Sequence, residues 1–168
     1  MNAKDLRLGN TVGMWLNDST PIRVTVDLYH LSCMLNNSRK YFPIDITVEE
    51  LRKLKDNMHD EHTGDHVLDG IEVKKWIDEE DWVIGTASYY VFMLKKISND
   101  IFYGNSDGAE FWRVINPNDK LVEYAKICYI HELQNILHAM VRGSSEIVYK
   151  ESEFDSPLKY RPRNEYIV

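Results

Sequence analysis

The sequence predicts an α+β domain: an antiparallel sheet built as a meander, open or barrel-like, with two main helices at about 47–59 and 129–142. Three observations lead there. Between Trp82 and Ile115, short runs rich in Tyr, Val, Phe and Ile alternate with polar turn residues, as consecutive strands do. From 129 to 142 apolar residues return every three or four positions and stop at Gly143, the pattern of a helix and its usual terminator. A chain of 168 residues, 43% hydrophobic and without a Pro/Gly/Ser-rich linker, is long enough for one domain with one core.

Taken in order, residues 6–16 read as a strand pair or bent strand punctuated by Gly9 and Asn10. Ile22, Val24, Val26 and Leu28 alternate with Arg23, Thr25 and Asp27, which predicts a half-buried strand. Residues 29–40 fit neither period. Thr47, with Glu50 three positions on, has capping-box spacing, and Val48, Leu51, Leu54 and Met58 supply an apolar stripe for a helix fraying near His59. Residues 59–81 are polar and broken by Gly64 and Gly70, so a long acidic insert is expected there, docked through Val73, Trp76 and neighbouring apolar residues. Strands are expected at 82–86, 88–97, 100–103 and 110–115. A turn follows at Asn116–Asp119, then a short strand near 121–128. The tail from Ser156, with Lys159, Arg161 and Arg163, is expected to be loosely held.

Charge is distributed unevenly. Residues 49–81 contain twelve acids and five bases, which equals the chain's net −7; the remainder balances. Such a stretch repels phosphate and attracts basic surfaces, so direct nucleic-acid binding is not expected. Nothing at Met1–Asp5 resembles a signal peptide and no run of about 18 apolar residues exists, so a soluble cytoplasmic protein without membrane contact is expected. Cys33 and Cys128 stand alone in sequence and read as reduced, small core residues.

Three constellations carry chemical possibilities. On the helix at 129–142, His131, Asn135, His138 and Arg142 share a stripe with Gln134 at its edge. Two histidines there suit a metal or a proton shuttle, although Glu132 points elsewhere; a polar stripe against the sheet or a partner is the simpler reading. His59, His62 and His66 would share a helical face, but Gly64 interrupts it and the HExxH order is absent. The run Asp78, Glu79, Glu80, Asp81 lies between Trp76 and Trp82, with Glu72 upstream. It suits imitation of a phosphate backbone toward a basic groove, or is simply a solvated turn. No P-loop, dinucleotide fingerprint, nucleophile elbow or DNA-binding motif is present. No catalytic residue, metal site or cofactor is therefore assigned.

Three segments together, Leu6-Arg7-Leu8-Gly9-Asn10, Pro43-Ile44-Asp45-Ile46-Thr47-Val48-Glu49-Glu50-Leu51 and Tyr129-Ile130-His131-Glu132-Leu133-Gln134-Asn135, resemble in order and rough spacing a pattern of small uncharacterised phage and prophage proteins of Bacteroidetes. The family more often shows Gln at the position of Glu132 and an aromatic at that of His138. The resemblance implies a mobile-element setting in a bacterial host and no particular activity. In that setting the expected function is inhibition of a host defence protein, in the manner of an anti-CRISPR. The partner would be an RNA-guided nuclease with a basic channel, met by Glu72, Trp76, Asp78, Glu79, Glu80, Asp81 and Trp82. The alternatives are a virion or packaging accessory protein, and a metal-dependent hydrolase or nuclease using His131 and His138.

Overall fold

The computed structural model describes residues 3–17, 19–36, 40–58, 72–75, 81–85, 90–97, 111–140 and 145–160. The chain is of the α+β class, with antiparallel sheets and several helices. After a 3-10 turn at Ala3–Asp5 come β1 (Thr11–Asn17), β2 (Thr20–Thr25), α1 (Leu28–Asn36), β3 (Tyr41–Phe42), α2 (Val48–Arg52) and β4 (Leu54–Met58). They are followed by β5 (Glu72–Lys75), β6 (Asp81–Gly85), β7 (Tyr90–Ile97), β8 (Phe111–Ile115), β9 (Glu123–Ile127), α3 (Ile130–Met140), β10 (Ser145–Tyr149) and α4 (Glu151–Phe154).

β1 lies between β2 and β3 in a three-stranded sheet that is covered on both faces. The period-2 alternation sorts its residues. Val12, Met14, Ile22, Val24 and Tyr41 face a minor core with Leu31 and Met34 of α1. Gly13 is in register with Arg23 on one side and Phe42 on the other, a row turned toward the main core. Any Cβ at Gly13 would run into the Phe42 ring. Arg23, expected on a polar face, is thereby buried.

The predicted strand through Leu28 ends sooner. Asp27 accepts from the His30 N–H at 2.8 Å and so caps α1, where residues 29–40 had fitted neither period.

The second helix is also shorter than expected. Thr47 accepts from the Glu50 N–H at 3.1 Å, as the capping spacing predicts, but α2 ends at Arg52. The apolar spacing of Leu51, Leu54 and Met58 suits a helix, yet Leu54–Met58 is extended and pairs with β10, Leu54 opposite Tyr149 and Met58 opposite Ser145. Nonlocal ladder bonds overrode local periodicity.

β5 to β9 form a meander, each strand pairing with its sequence neighbour. β6, β7, β8 and β9 fall on runs expected as strands, whereas β5 lies within residues 59–81, where a long insert was expected, and is drawn into the sheet by its ladder to β6; the run at 100–103 lies outside the described residues. The sheet is open rather than a closed barrel, with β5 and β9 at its ends. Leu94, Trp112, Val114 and Ile127 meet Ile130, Leu133 and Leu137 of α3, Leu51 of α2 and Ile147 of β10 in the main core. Each such aliphatic side chain contributes about 1.5–3 kcal/mol on burial. Trp112 donates its indole N–H to the Ile46 carbonyl at 3.0 Å, so the largest core side chain leaves no unpaired donor.

The C-terminal segment is docked through residue 160, where a loose tail was expected from Ser156; Arg161, Arg163 and the rest of that tail lie outside the described residues. Leu158 is buried in the main core, and Tyr160 packs edge-on against Trp15 and Phe42 at 4.9 and 4.8 Å. Cys128 is buried, Cys33 is half-buried, and neither is in a disulfide.

Candidate functional site

The three sequence motifs converge on one another inside the fold. Gly9, at a φ of 88°, turns the chain into β1, a conformation that favours glycine. Asn10 closes that turn by accepting from the Arg7 N–H at 2.6 Å. Gln134, buried on α3, accepts from the Thr11 N–H at 2.8 Å and donates to the Ile147 carbonyl at 2.8 Å and the Thr11 hydroxyl at 3.3 Å. One amide thus ties α3 to β1 and β10, with its donor and acceptor capacity engaged. Asn135 donates to the Asp5 carbonyl at 2.9 Å.

The central motif meets the late one edge to edge. Ile46 donates to the Cys128 carbonyl and Ile130 to the Ile44 carbonyl, at 2.7 and 2.9 Å, around a bridge between Asp45 and Tyr129. Glu132 accepts from the Cys128 and Tyr129 N–H groups at 2.8 and 3.0 Å, satisfying donors at the start of α3.

A second polar centre was not anticipated from the sequence. The Glu50 carboxylate turns inward and accepts from Nε and Nη2 of Arg23, from Lys53 at 3.0 Å and from the Tyr149 hydroxyl at 2.6 Å. Arg23 stacks 4.7 Å above the Tyr149 ring, and its other nitrogen donates to the Phe154 and Ser156 carbonyls. Burial, and then the negative charge of Glu50, holds the Tyr149 phenol well above its ordinary range, so it stays a neutral donor. Glu50 is consumed in holding β2, α2, β10 and the C-terminal segment together.

Beside it lies a cleft of about 240 Å³ lined by Thr47, Val48, Glu49, Lys96, Leu158 and Lys159, among others. Glu49 accepts from Lys159 at 2.8 Å across its rim, and that contact holds its carboxyl below the usual range. The cleft presents both signs of charge and suits a polar contact rather than a strongly cationic or anionic ligand.

The histidine stripe separates by burial. His131 is only 4% exposed, stacks on Tyr129 at 5.5 Å and has no partner for Nδ1. Desolvation lowers its pKa to about 4, so it is neutral at physiological pH. His138 is half-buried, and Arg142 lies outside the described residues. Among the described residues no three His, Cys, Asp or Glu side chains gather as metal ligands.

Of the acidic set, Glu72 begins β5 opposite Gly85, and Asp81 begins β6 opposite Lys95. Trp82 stands between Lys75 and Leu94 in register. Trp76, Asp78, Glu79 and Glu80 lie outside the described residues, as do His59, His62 and His66. Among the described residues no helix is long and apolar enough to cross a membrane. No protein-family model, curated protein or solved structure matches this chain.

Proposed function

We propose that the chain is a phage- or prophage-encoded binding protein that inhibits a host defence system. It would act in the host cytoplasm on the basic channel of an RNA-guided nuclease, through its acidic stretch. The observation that carries this reading is a sharpened version of the charge asymmetry. Residues 49–53 hold two acids and two bases, and Glu49 and Glu50 are engaged by Lys53, Lys159 and Arg23. The whole net charge of −7 therefore belongs to residues 54–81, ten acids against three bases. β4 anchors one end of that stretch, and β5 and β6 the other.

A dense negative segment fixed at both ends to a sheet framework speeds association with a basic surface and opposes loading of guide or target strands. Trp76, Ile77 and Trp82 would supply the apolar anchors that charge alone does not. A binding role also agrees with the use of the polar motif residues Glu50 and Gln134 as internal ties, since these are occupied within the fold.

The test is a plasmid-interference assay in cells carrying the host's own RNA-guided nuclease. The chain should suppress interference, and reversing Glu79, Glu80 and Asp81 to lysine should restore it. Equal suppression by the reversed variant would overturn the acidic-surface reading.

A further inference from the structure

We infer that the cleft beside α2 is a binding site for a small zwitterion, an aliphatic α-amino acid, whose ammonium and carboxylate groups take over the rim contact between Glu49 and Lys159. The walls of the cleft differ in sign. Asp45 and Glu49 come from the central motif, whereas Lys96 comes from β7 and Lys159 from the C-terminal segment. An anion attracted to the lysines meets two carboxylates at close range, and a cation attracted to the carboxylates meets two ammonium groups. Each loses on one wall what it gains on the other. A neutral molecule carrying both charges is favoured on both walls.

Size and lining set the rest of the ligand. The volume of about 240 Å³ falls below the roughly 300–1,000 Å³ of pockets that take drug-sized ligands, which leaves room for an amino acid and not for a nucleotide. The apolar part of the lining is aliphatic: Ile44 and Leu158, both members of the main core, with Val48 half-buried beside them. A branched aliphatic side chain packs there, and its charged head stays at the rim. Glu50 also borders the cleft, but its carboxylate is already engaged by Arg23, Lys53 and Tyr149.

The spacing of the charges selects the α-amino form. The Glu49 carboxylate and the Lys159 ammonium stand 2.8 Å apart, so the rim presents opposite charges side by side. An α-amino acid carries its own two charges on one carbon and matches that pair, whereas a chain with a charge at each end does not. The contact is also easily exchanged. The two side chains are 52% and 77% exposed, and ion pairs in water contribute little to stability. Both can swing outward and admit the ligand's head between them. Binding through exposed charges and a small apolar floor is weak, in the millimolar range.

Titration of the full chain with L-leucine to about 50 mM, followed by backbone amide NMR, reads this directly. Val48, Glu49 and Leu158 should shift and saturate. Isocaproate lacks the ammonium, leucinamide lacks the carboxylate, and ε-aminocaproate holds its charges apart; each should bind about fivefold more weakly or worse. Glu49→Gln and Lys159→Gln change exposed positions, so both should unfold at the wild-type midpoint and bind L-leucine about fivefold more weakly. The absence of saturable shifts with L-leucine overturns the proposal. So does isocaproate, leucinamide or ε-aminocaproate binding as tightly as L-leucine, or undiminished affinity in the two folded variants.

Discussion

The Tyr149 hydroxyl donates to the Glu50 carboxylate at 2.6 Å, joining residues 99 positions apart. Glu50 sits in the first turn of a one-and-a-half-turn helix that could not persist alone, and Tyr149 ends the strand that pairs with β4. Through this contact, and through Arg23 on the same carboxylate, the central motif is held against both the N-terminal sheet and the C-terminal segment. β4, the first part of the acidic stretch, follows α2 directly and pairs with the strand that Tyr149 ends, so this junction holds the start of that stretch to the fold.

Glu50→Gln removes the charge that Arg23 and Lys53 share inside the protein. Unfolding in urea should show a loss of about 3–5 kcal/mol, the cost of stranding a buried partner. Tyr149→Phe keeps the ring under Arg23 and removes one hydrogen bond to a charged group, for about 1.5–3 kcal/mol. Equal midpoints for wild type and Glu50→Gln would contradict the buried ion cluster.

Gln134→Leu leaves the Thr11 N–H and the Ile147 carbonyl without their present partner. Each orphaned group costs about 1–3 kcal/mol. Amide exchange at Thr11 should accelerate along with the fall in stability, a local signature that loss of core packing elsewhere would not give.

Gly13→Ala forces the Phe42 ring from its seat over β1, and overpacking of this kind costs about 1–3 kcal/mol. Phe42→Leu makes room for the new methyl. In a double-mutant cycle the two changes should therefore cost less together than the sum of each alone.

His131 predicts a pH dependence with a definite sign. Its folded pKa of about 4 lies below its ordinary 6.5, so the unfolded chain binds the proton more readily. The stability contributed by neutral His131 is complete above pH 6.5 and is lost as pH falls toward 4, by roughly 3 kcal/mol at most. His131→Phe should flatten the stability profile between pH 4 and 6.5 relative to wild type. Parallel profiles for the two proteins would contradict a buried, neutral imidazole.

Elements with strong local periodicity were legible in the sequence. The runs expected at 82–86, 88–97 and 110–115 became β6, β7 and β8, and the three-and-four spacing of Ile130, Leu133 and Leu137 became α3. What depended on distant partners was not. Leu54 and Met58 carry helical spacing, but β10, about ninety residues later, draws them into a strand. Arg23 alternates like an exposed residue, and only the second layer over its sheet, with Glu50 and Tyr149, makes it a buried one. Asp27 had the chemistry of a helix cap, but the apolar alternation through Val26 to Leu28 masked it. The motif residues Asn10, Glu50 and Gln134 were visible as a pattern, while their mutual convergence required the fold.

The central claim, that residues 54–81 occupy a basic nucleic-acid channel, is tested most directly by competition. The purified chain is titrated into the RNA-guided nuclease of a host in which it suppresses interference, with and without guide RNA bound. The account predicts tight binding to the guide-free nuclease, displacement by guide RNA, and loss of binding on reversal of Glu79, Glu80 and Asp81. Binding indifferent both to the guide and to those three charges would contradict it.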